Sequence, residues 1–113
     1  MGETGRLSRC QARNGGFADY VVVDADRLHD MSTSPLSDQE LAALPVAYGT
    51  AMGMLERAGI RSGETVLVTG ASGGVGLALV QLAAARGARV VALTSASKTA
   101  ALREAGASEH ADR

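Results

Sequence analysis

Residues 65–94 constrain the fold more than any other stretch of the chain. Thr65-Val66-Leu67-Val68-Thr69 is a continuous apolar run, and a glycine cluster follows at 70–76. Leu77 through Arg86 then reads as a helix with almost no polar face, and Arg89-Val90-Val91-Ala92-Leu93-Thr94 is a second apolar run. Strand, loop, helix and strand within about 30 residues is the size of one βαβ unit, whose crossover is right-handed by default. Strands without polar alternation are expected where a parallel sheet is covered on both faces. Gly87 is placed to close the helix, and Ser97 through Ala105 reads as another, closed by Gly106. The expected class is therefore α/β, a parallel sheet with flanking helices.

Upstream, Asn14-Gly15-Gly16 signals a turn, and Phe17 through Val23 (FADYVVV) is β-rich and predicts a strand. Residues 24–36 read as a loop containing Pro35. Ser37-Asp38-Gln39-Glu40 matches a capping box, so a short helix should run through Leu41 and Leu44 and end near Pro45. A second helix is predicted from Val46 to Ala58, capped by Gly59, with Ala47, Ala51, Met54, Leu55 and Ala58 on its apolar face. Gly49 and Gly53 cost this helix ~1 kcal/mol each relative to alanine. They either permit close backbone approach or are simply tolerated. Residues 1–14 are polar, carry no period and are expected to be poorly anchored.

Composition narrows the function classes. With 113 residues, the chain has enough for one modest domain. Eleven basic and twelve acidic residues leave a net charge of -1, which gives no electrostatic footprint for nucleic acid or an anionic membrane. The single cysteine, Cys10, excludes an internal disulfide framework and fits a reducing compartment. No apolar run approaches the ~20 residues of a membrane span, and the polar start lacks a signal-peptide core. The expectation is a soluble, cytoplasmic polypeptide.

The chemistry lies in Thr69-Gly70-Ala71-Ser72-Gly73-Gly74-Val75-Gly76, between a buried strand and the start of a helix. Two registers fit. Ala71-x-Gly73-x-x-Gly76 is the dinucleotide fingerprint G-x-G-x-x-G with alanine in its first place, and Thr69-Gly70-x-x-x-Gly74-x-Gly76 is the short-chain reductase variant. In both, absent side chains let the backbone close on a pyrophosphate, and free helix amides face the anion. Candidate cofactor-binding residues are thus Ala71, Ser72, Gly73, Gly74, Val75 and Gly76; the alternative is a purely structural tight turn. NAD readers carry an acid at the end of the second strand, whereas this chain has Thr94-Ser95-Ala96-Ser97-Lys98. Hydroxyls and a lysine suit a 2′-phosphate, so Ser95 and Lys98 are candidates and NADP(H) is favoured over NAD. Equally, a serine here serves as a helix cap, with Lys98 a solvated first-turn residue.

In the order of its segments the chain resembles the medium-chain dehydrogenase/reductase superfamily, in particular its zinc-binding-alcohol-dehydrogenase-like and quinone-oxidoreductase-like members. The resemblance rests on Gly15-Gly16-Phe17-Ala18-Asp19-Tyr20, Leu41-Ala42-Ala43-Leu44-Pro45, Gly49-Thr50-Ala51, Ser62 through Val68, Gly70 through Gly76 and Arg86-Gly87-Ala88. It covers residues 15–107 and favours the first glycine register, because a short-chain reductase starts close to its glycine motif. It implies a partial Rossmann fold preceded by the tail of a GroES-like domain. Residues 1–45 would be the C-terminal portion of that catalytic domain, and residues 46–113 the first half of the NAD(P)-binding domain, beginning with a crossover helix at 46–59. Thr50 falls where such proteins have a threonine near the nicotinamide ring. Tyr48 beside it would line the substrate cleft as a candidate catalytic residue, or else be a packed aromatic.

Two departures from the family pattern matter. Val46 stands where zinc-dependent members carry a cysteine ligand, and Cys10, His29 and His110 show no ligand spacing, so no zinc is expected. After Gly106-Ala107 the family continues into a third hydrophobic strand, but here the chain reads Ser108-Glu109-His110-Ala111-Asp112-Arg113. The implied reaction is NADP(H)-dependent hydride transfer to an enone, quinone or carbonyl of a small-molecule substrate. The alternative is a truncated, non-catalytic nucleotide-binding fragment that forms a homo-oligomer or needs a complementing chain, since bare sheet edges invite pairing.

Overall fold

The computed structural model describes residues 15–111. Residues 1–14 and 112–113 lie outside them, and so do Cys10 and the expected weak anchoring of the N-terminus. The described residues fall into two compact units, one ending at Pro35 and one starting at Leu36. The first holds a single 3-10 turn, Ala25–Arg27. The second runs through α1 (Asp38–Ala58), β1 (Thr65–Val68), α2 (Gly74–Ala85), β2 (Arg89–Leu93), a 3-10 turn at Ala96–Lys98, α3 (Thr99–Glu104) and β3 (Glu109–Ala111).

The strand expected at 17–23 does not form. No ladder among the described residues includes it, and Phe17 and Tyr20 are fully exposed. β-propensity expresses fit to a pleated, partly buried surface, and no such surface is supplied to this segment here.

Nor does the helix break at Pro45. α1 continues for 21 residues with the proline inside it. Proline forfeits the bond to the carbonyl four residues back, at a cost of ~3 kcal/mol. Pro45 is exposed, while Ala51 and Leu55 further along are buried. Packing of that face outweighs the local penalty. The capping box is present as expected: Ser37 Oγ accepts from the Glu40 amide at 3.3 Å, and Glu40 Oε2 accepts from the Ser37 amide at 2.8 Å. Gly59 closes the helix in the left-handed conformation. The expected domain boundary at 45/46 falls within α1.

The sheet is parallel, in the order β1-β2-β3, with Val66 opposite Val90 and Val68 opposite Ala92. Both crossovers advance it in the same direction, so right-handed connections lay α2 and α3 over one face. The burial alternates accordingly: Val68, Val90 and Ala92 are buried beneath the helices with Val80, Ala83 and Leu102. On the other face Leu67 is 62% exposed. The expectation that both faces are covered therefore holds for one face only among the described residues.

α2 starts at Gly74 rather than Leu77, because a first helical turn needs no intrahelical acceptors for its amides and tolerates glycine. The helix expected at 97–105 splits into the 3-10 turn and the six-residue α3. β3 forms although its sequence is not apolar. Its neighbour Ser108 donates its amide to the Val90 carbonyl at 2.9 Å, Thr94 donates its amide to Ala111 at 3.2 Å, and Arg89 pairs with Glu109.

Candidate functional site

The glycine loop connects β1 to α2 by a tight reversal. Gly70 is left-handed (φ +59°), and the Gly73 amide donates to the Gly70 carbonyl at 3.0 Å. Gly73 then caps α2, its own carbonyl accepting from Leu77 at 2.8 Å. Gly76, in the first turn, lies against the loop's backbone: a Cβ there would come within 2.2 Å of the Gly70 oxygen and 2.8 Å of the Ala71 Cα. No other residue type fits without moving the loop. Ala71 is fully buried in the core, and its methyl anchors the loop from beneath.

This local geometry leaves donors unused. The amides of Gly74, Val75 and Gly76 have no acceptor among the described residues, and no side chain caps the helix. The first turn of α2 carries no acid to occupy the positive end of the helix dipole. Ser72, Gly73 and Gly74 are exposed, and a Cβ built on Gly74 meets nothing within 4 Å. Unpartnered amides at a helix N-terminus, beside the exposed Ser72, Gly73 and Gly74, are an anion-binding arrangement.

The second group of candidates follows β2. Ser95 and Lys98 are exposed at the Ala96–Lys98 turn, and Ser95 Oγ lies 3.3 Å from Ser97 Oγ. Because β1 and β2 are adjacent and parallel, the glycine loop and this turn leave the same, carboxyl end of the sheet. Ligands of open α/β sheets bind at that end. Two features here were missed in the sequence: the hydroxyls of Thr94 and Thr99, on either side of the turn, are buried without a partner. Only long-range burial marks them.

The remaining candidates are placed elsewhere. Tyr48 is half-buried in α1, and its hydroxyl donates to Oε1 of Gln81 in α2. Thr50 is exposed and lies about 200° further round the helix, on the side opposite Tyr48. Gln81 was also missed, although one signal was available: it is the sole polar residue of GVGLALVQLAAA. Val46 is exposed on α1. Among the described residues no three His, Cys, Asp or Glu side chains gather as a metal site requires, and no helix is long and apolar enough to cross a membrane.

No protein-family model matches the chain. Individual proteins do. It is 40% identical over 97 residues to acryloyl-coenzyme A reductase of Metallosphaera sedula, a match covering 86% of this chain and 29% of that protein. The crystal structure of a putative alcohol dehydrogenase from Sinorhizobium meliloti 1021 superposes with a TM-score of 0.82 at 48% identity, over 89% of this chain and 28% of that one. The quinone oxidoreductase of Thermus thermophilus, determined alone and in complex with NADPH, gives a TM-score of 0.66 at 45% identity, over 70% and 27% of the two chains. The chain thus spans less than a third of the length of each of these relatives.

Proposed function

Since this chain belongs to the medium-chain dehydrogenase/reductase superfamily and carries a partial Rossmann fold, we propose that it supplies the pyrophosphate-binding turn of an NADP(H)-dependent oxidoreductase. The observation that carries this reading is the row of unpartnered amides at Gly74, Val75 and Gly76, held open by the contact of Gly76 with the Gly70 carbonyl. The residues present fit such a cofactor. The glycine loop is an uncrowded cradle for the pyrophosphate, while Ser95 and Lys98, with no acid among them, suit a ribose 2′-phosphate better than a bare ribose. The NADPH complex of the Thermus thermophilus relative supports the same preference.

When bound, the cofactor supplies or accepts a hydride, and the names of the relatives support a polarised C=C or C=O, as in an enone or quinone, as the other reactant. The chain's own contribution is to hold the dinucleotide: amides at 74–76 neutralise phosphate charge, and Ser95 and Lys98 grip the adenosine end. Thr50 is proposed to face the nicotinamide. Tyr48 has its hydroxyl committed to Gln81, which argues against its use as a proton donor.

Titrating the 113-residue chain with NADPH and NADH while recording amide NMR spectra tests the reading. Saturable NADPH binding with the largest shifts at 72–76 is expected. Absence of binding, or shifts centred elsewhere, would overturn it. A second reading, a non-catalytic nucleotide-binding module completed by another chain or a second copy, is favoured by the exposure of Leu67 on the bare sheet face. Sedimentation equilibrium tests the second copy: a self-assembled species supports it, and a monomer rules out completion by a second copy.

A further inference from the structure

α2 has an unusual composition. Amphipathic helices are oriented by their polar face, which must point to water. α2 lacks one: apart from Gln81 its twelve residues are Gly, Ala, Val and Leu. It is also buried on two sides. Gly76, Val80 and Ala83 lie on one face at helical spacing, while Ala78 is buried about 200° away from Gly76. Apolar contacts are non-directional, so they define the rotation of such a helix about its own axis less sharply than a hydrogen bond does. Gln81 follows Ala78 by three residues and shares its face, and there its Oε1 accepts the Tyr48 hydroxyl of α1.

We propose that Gln81 is a positioning residue for the phosphate-binding turn. Through Tyr48 it fixes the rotation of α2, and together with Gly76 it gives the helix two anchored points. One point is the contact of Gly76 with Gly70 at the N-terminus; the other is the hydrogen bond further along the helix. The direction of the amides at 74–76 follows from both. A directional bond in an otherwise apolar packing is where such specificity comes from, as with single polar residues that set register between helices. The inference rests on the reading of that turn as the pyrophosphate site, but the bond itself can be tested without a ligand.

The test uses the full chain and the variants Gln81→Met, Tyr48→Phe and Gln81→Glu. Methionine keeps the length and removes the acceptor; glutamate keeps an acceptor. NADPH affinity should fall roughly fivefold in Gln81→Met and Tyr48→Phe, the size of one lost hydrogen bond, and return toward the parent in Gln81→Glu. In ligand-free NMR spectra the amides of Gly74, Val75 and Gly76 should broaden or shift in the first two variants and not in the third. Unchanged amides and unchanged affinity in Gln81→Met would overturn the proposal, as would a loss in Gln81→Glu equal to that in Gln81→Met. If the parent itself fails to bind NADPH, the functional reading falls and the positioning role is decided by the ligand-free spectra alone. Tyr48 can be followed individually, because the chain has two tyrosines, no tryptophan, and its other tyrosine, Tyr20, is fully exposed.

Discussion

A Cβ on Gly76 would stand 2.2 Å from the carbonyl oxygen of Gly70, which makes this pair the closest-fitting junction between the loop and α2. The obstruction is backbone, so no rotamer change relieves it. Gly76→Ala should therefore push α2 away from the loop, costing about 1–3 kcal/mol as overpacking does. In a domain of this size that corresponds to a lower melting temperature by roughly 4–8 °C per kcal/mol. NADPH binding should be lost along with it. Circular dichroism melting reads the first effect and fluorescence titration the second; an unchanged melting temperature would show that the loop yields freely.

Gly74→Ala separates affinity from stability at the same turn. A Cβ there meets nothing within 4 Å, and the residue is already helical. Alanine should raise stability by about 0.5–1 kcal/mol through helix propensity and reduced unfolded-state freedom. If the open space in front of the amides holds a pyrophosphate, the same methyl intrudes on it. The expected result is a higher melting temperature with weaker NADPH binding. Stronger or equal binding would place the anion elsewhere.

These two glycines also show why the turn was legible in the sequence. Their roles depend on near neighbours along the chain, so spacing alone carries them. The Ser37–Glu40 cap is equally local and was equally readable. Pro45 misled because its penalty is local while its compensation, the burial of Ala51 and Leu55, comes from distant elements. The segment at 17–23 misled in the opposite sense: its propensity is genuine, but a strand requires a partner. β3 was invisible because Glu109-His110-Ala111 is held by backbone bonds and by the pairing of Glu109 with Arg89, none of which leaves an apolar pattern. Gln81 was visible as an exception to a pattern, yet only the fold shows that Tyr48 meets it.

Leu102 is the one buried residue of α3 and is only 1% exposed. A six-residue helix has no stability of its own. Leu102→Ala should cost about 2–5 kcal/mol, and the loss should spread to β3, because the Ala107 amide, just ahead of that strand, donates to the Leu102 carbonyl at 2.9 Å. Hydrogen exchange should show lost protection in β3 before β1. Equal loss in both strands would mean that the sheet unfolds as a unit.

The cap of α1 carries a pH dependence. Glu40 is held below its ordinary value of 4.5, chiefly by the hydrogen bond from the Ser37 amide and then by that from the Ser37 hydroxyl. A carboxylate whose folded value is depressed contributes stability above the ordinary value, and the contribution is lost as pH falls through the folded one. Asp30 is lowered in the same direction from its ordinary value of 3.8, chiefly by the hydrogen bond from the Ser32 amide, so its contribution is lost at lower pH than that of Glu40. Glu40→Gln keeps an oxygen for the Ser37 amide and removes the titration. Its urea midpoint should therefore fall less than the parent's between about pH 5.5 and about pH 3. Parallel curves for the two proteins would remove Glu40 from the account.

On the proposed reading, the turn after β2 is what distinguishes the two cofactors. Lys98 is exposed there beside Ser95 and Ser97, and no acid lies between Thr94 and Lys98. A 2′-phosphate gripped by this turn gains a charge-assisted contact that a bare ribose cannot make. Lys98→Glu reverses that charge without touching the core, since the residue is exposed and its neighbour Leu102 supplies the burial of the segment. NADPH affinity should fall by roughly tenfold or more, while NADH affinity changes by less than about twofold. The parent's preference for NADPH should also weaken with added salt, because an exposed charge pair is screened. Equal losses for both cofactors would move Lys98 to a group they share, such as the pyrophosphate. No loss for either would leave the turn outside the cofactor site and reduce Ser95 and Ser97 to the contact their hydroxyls make with each other.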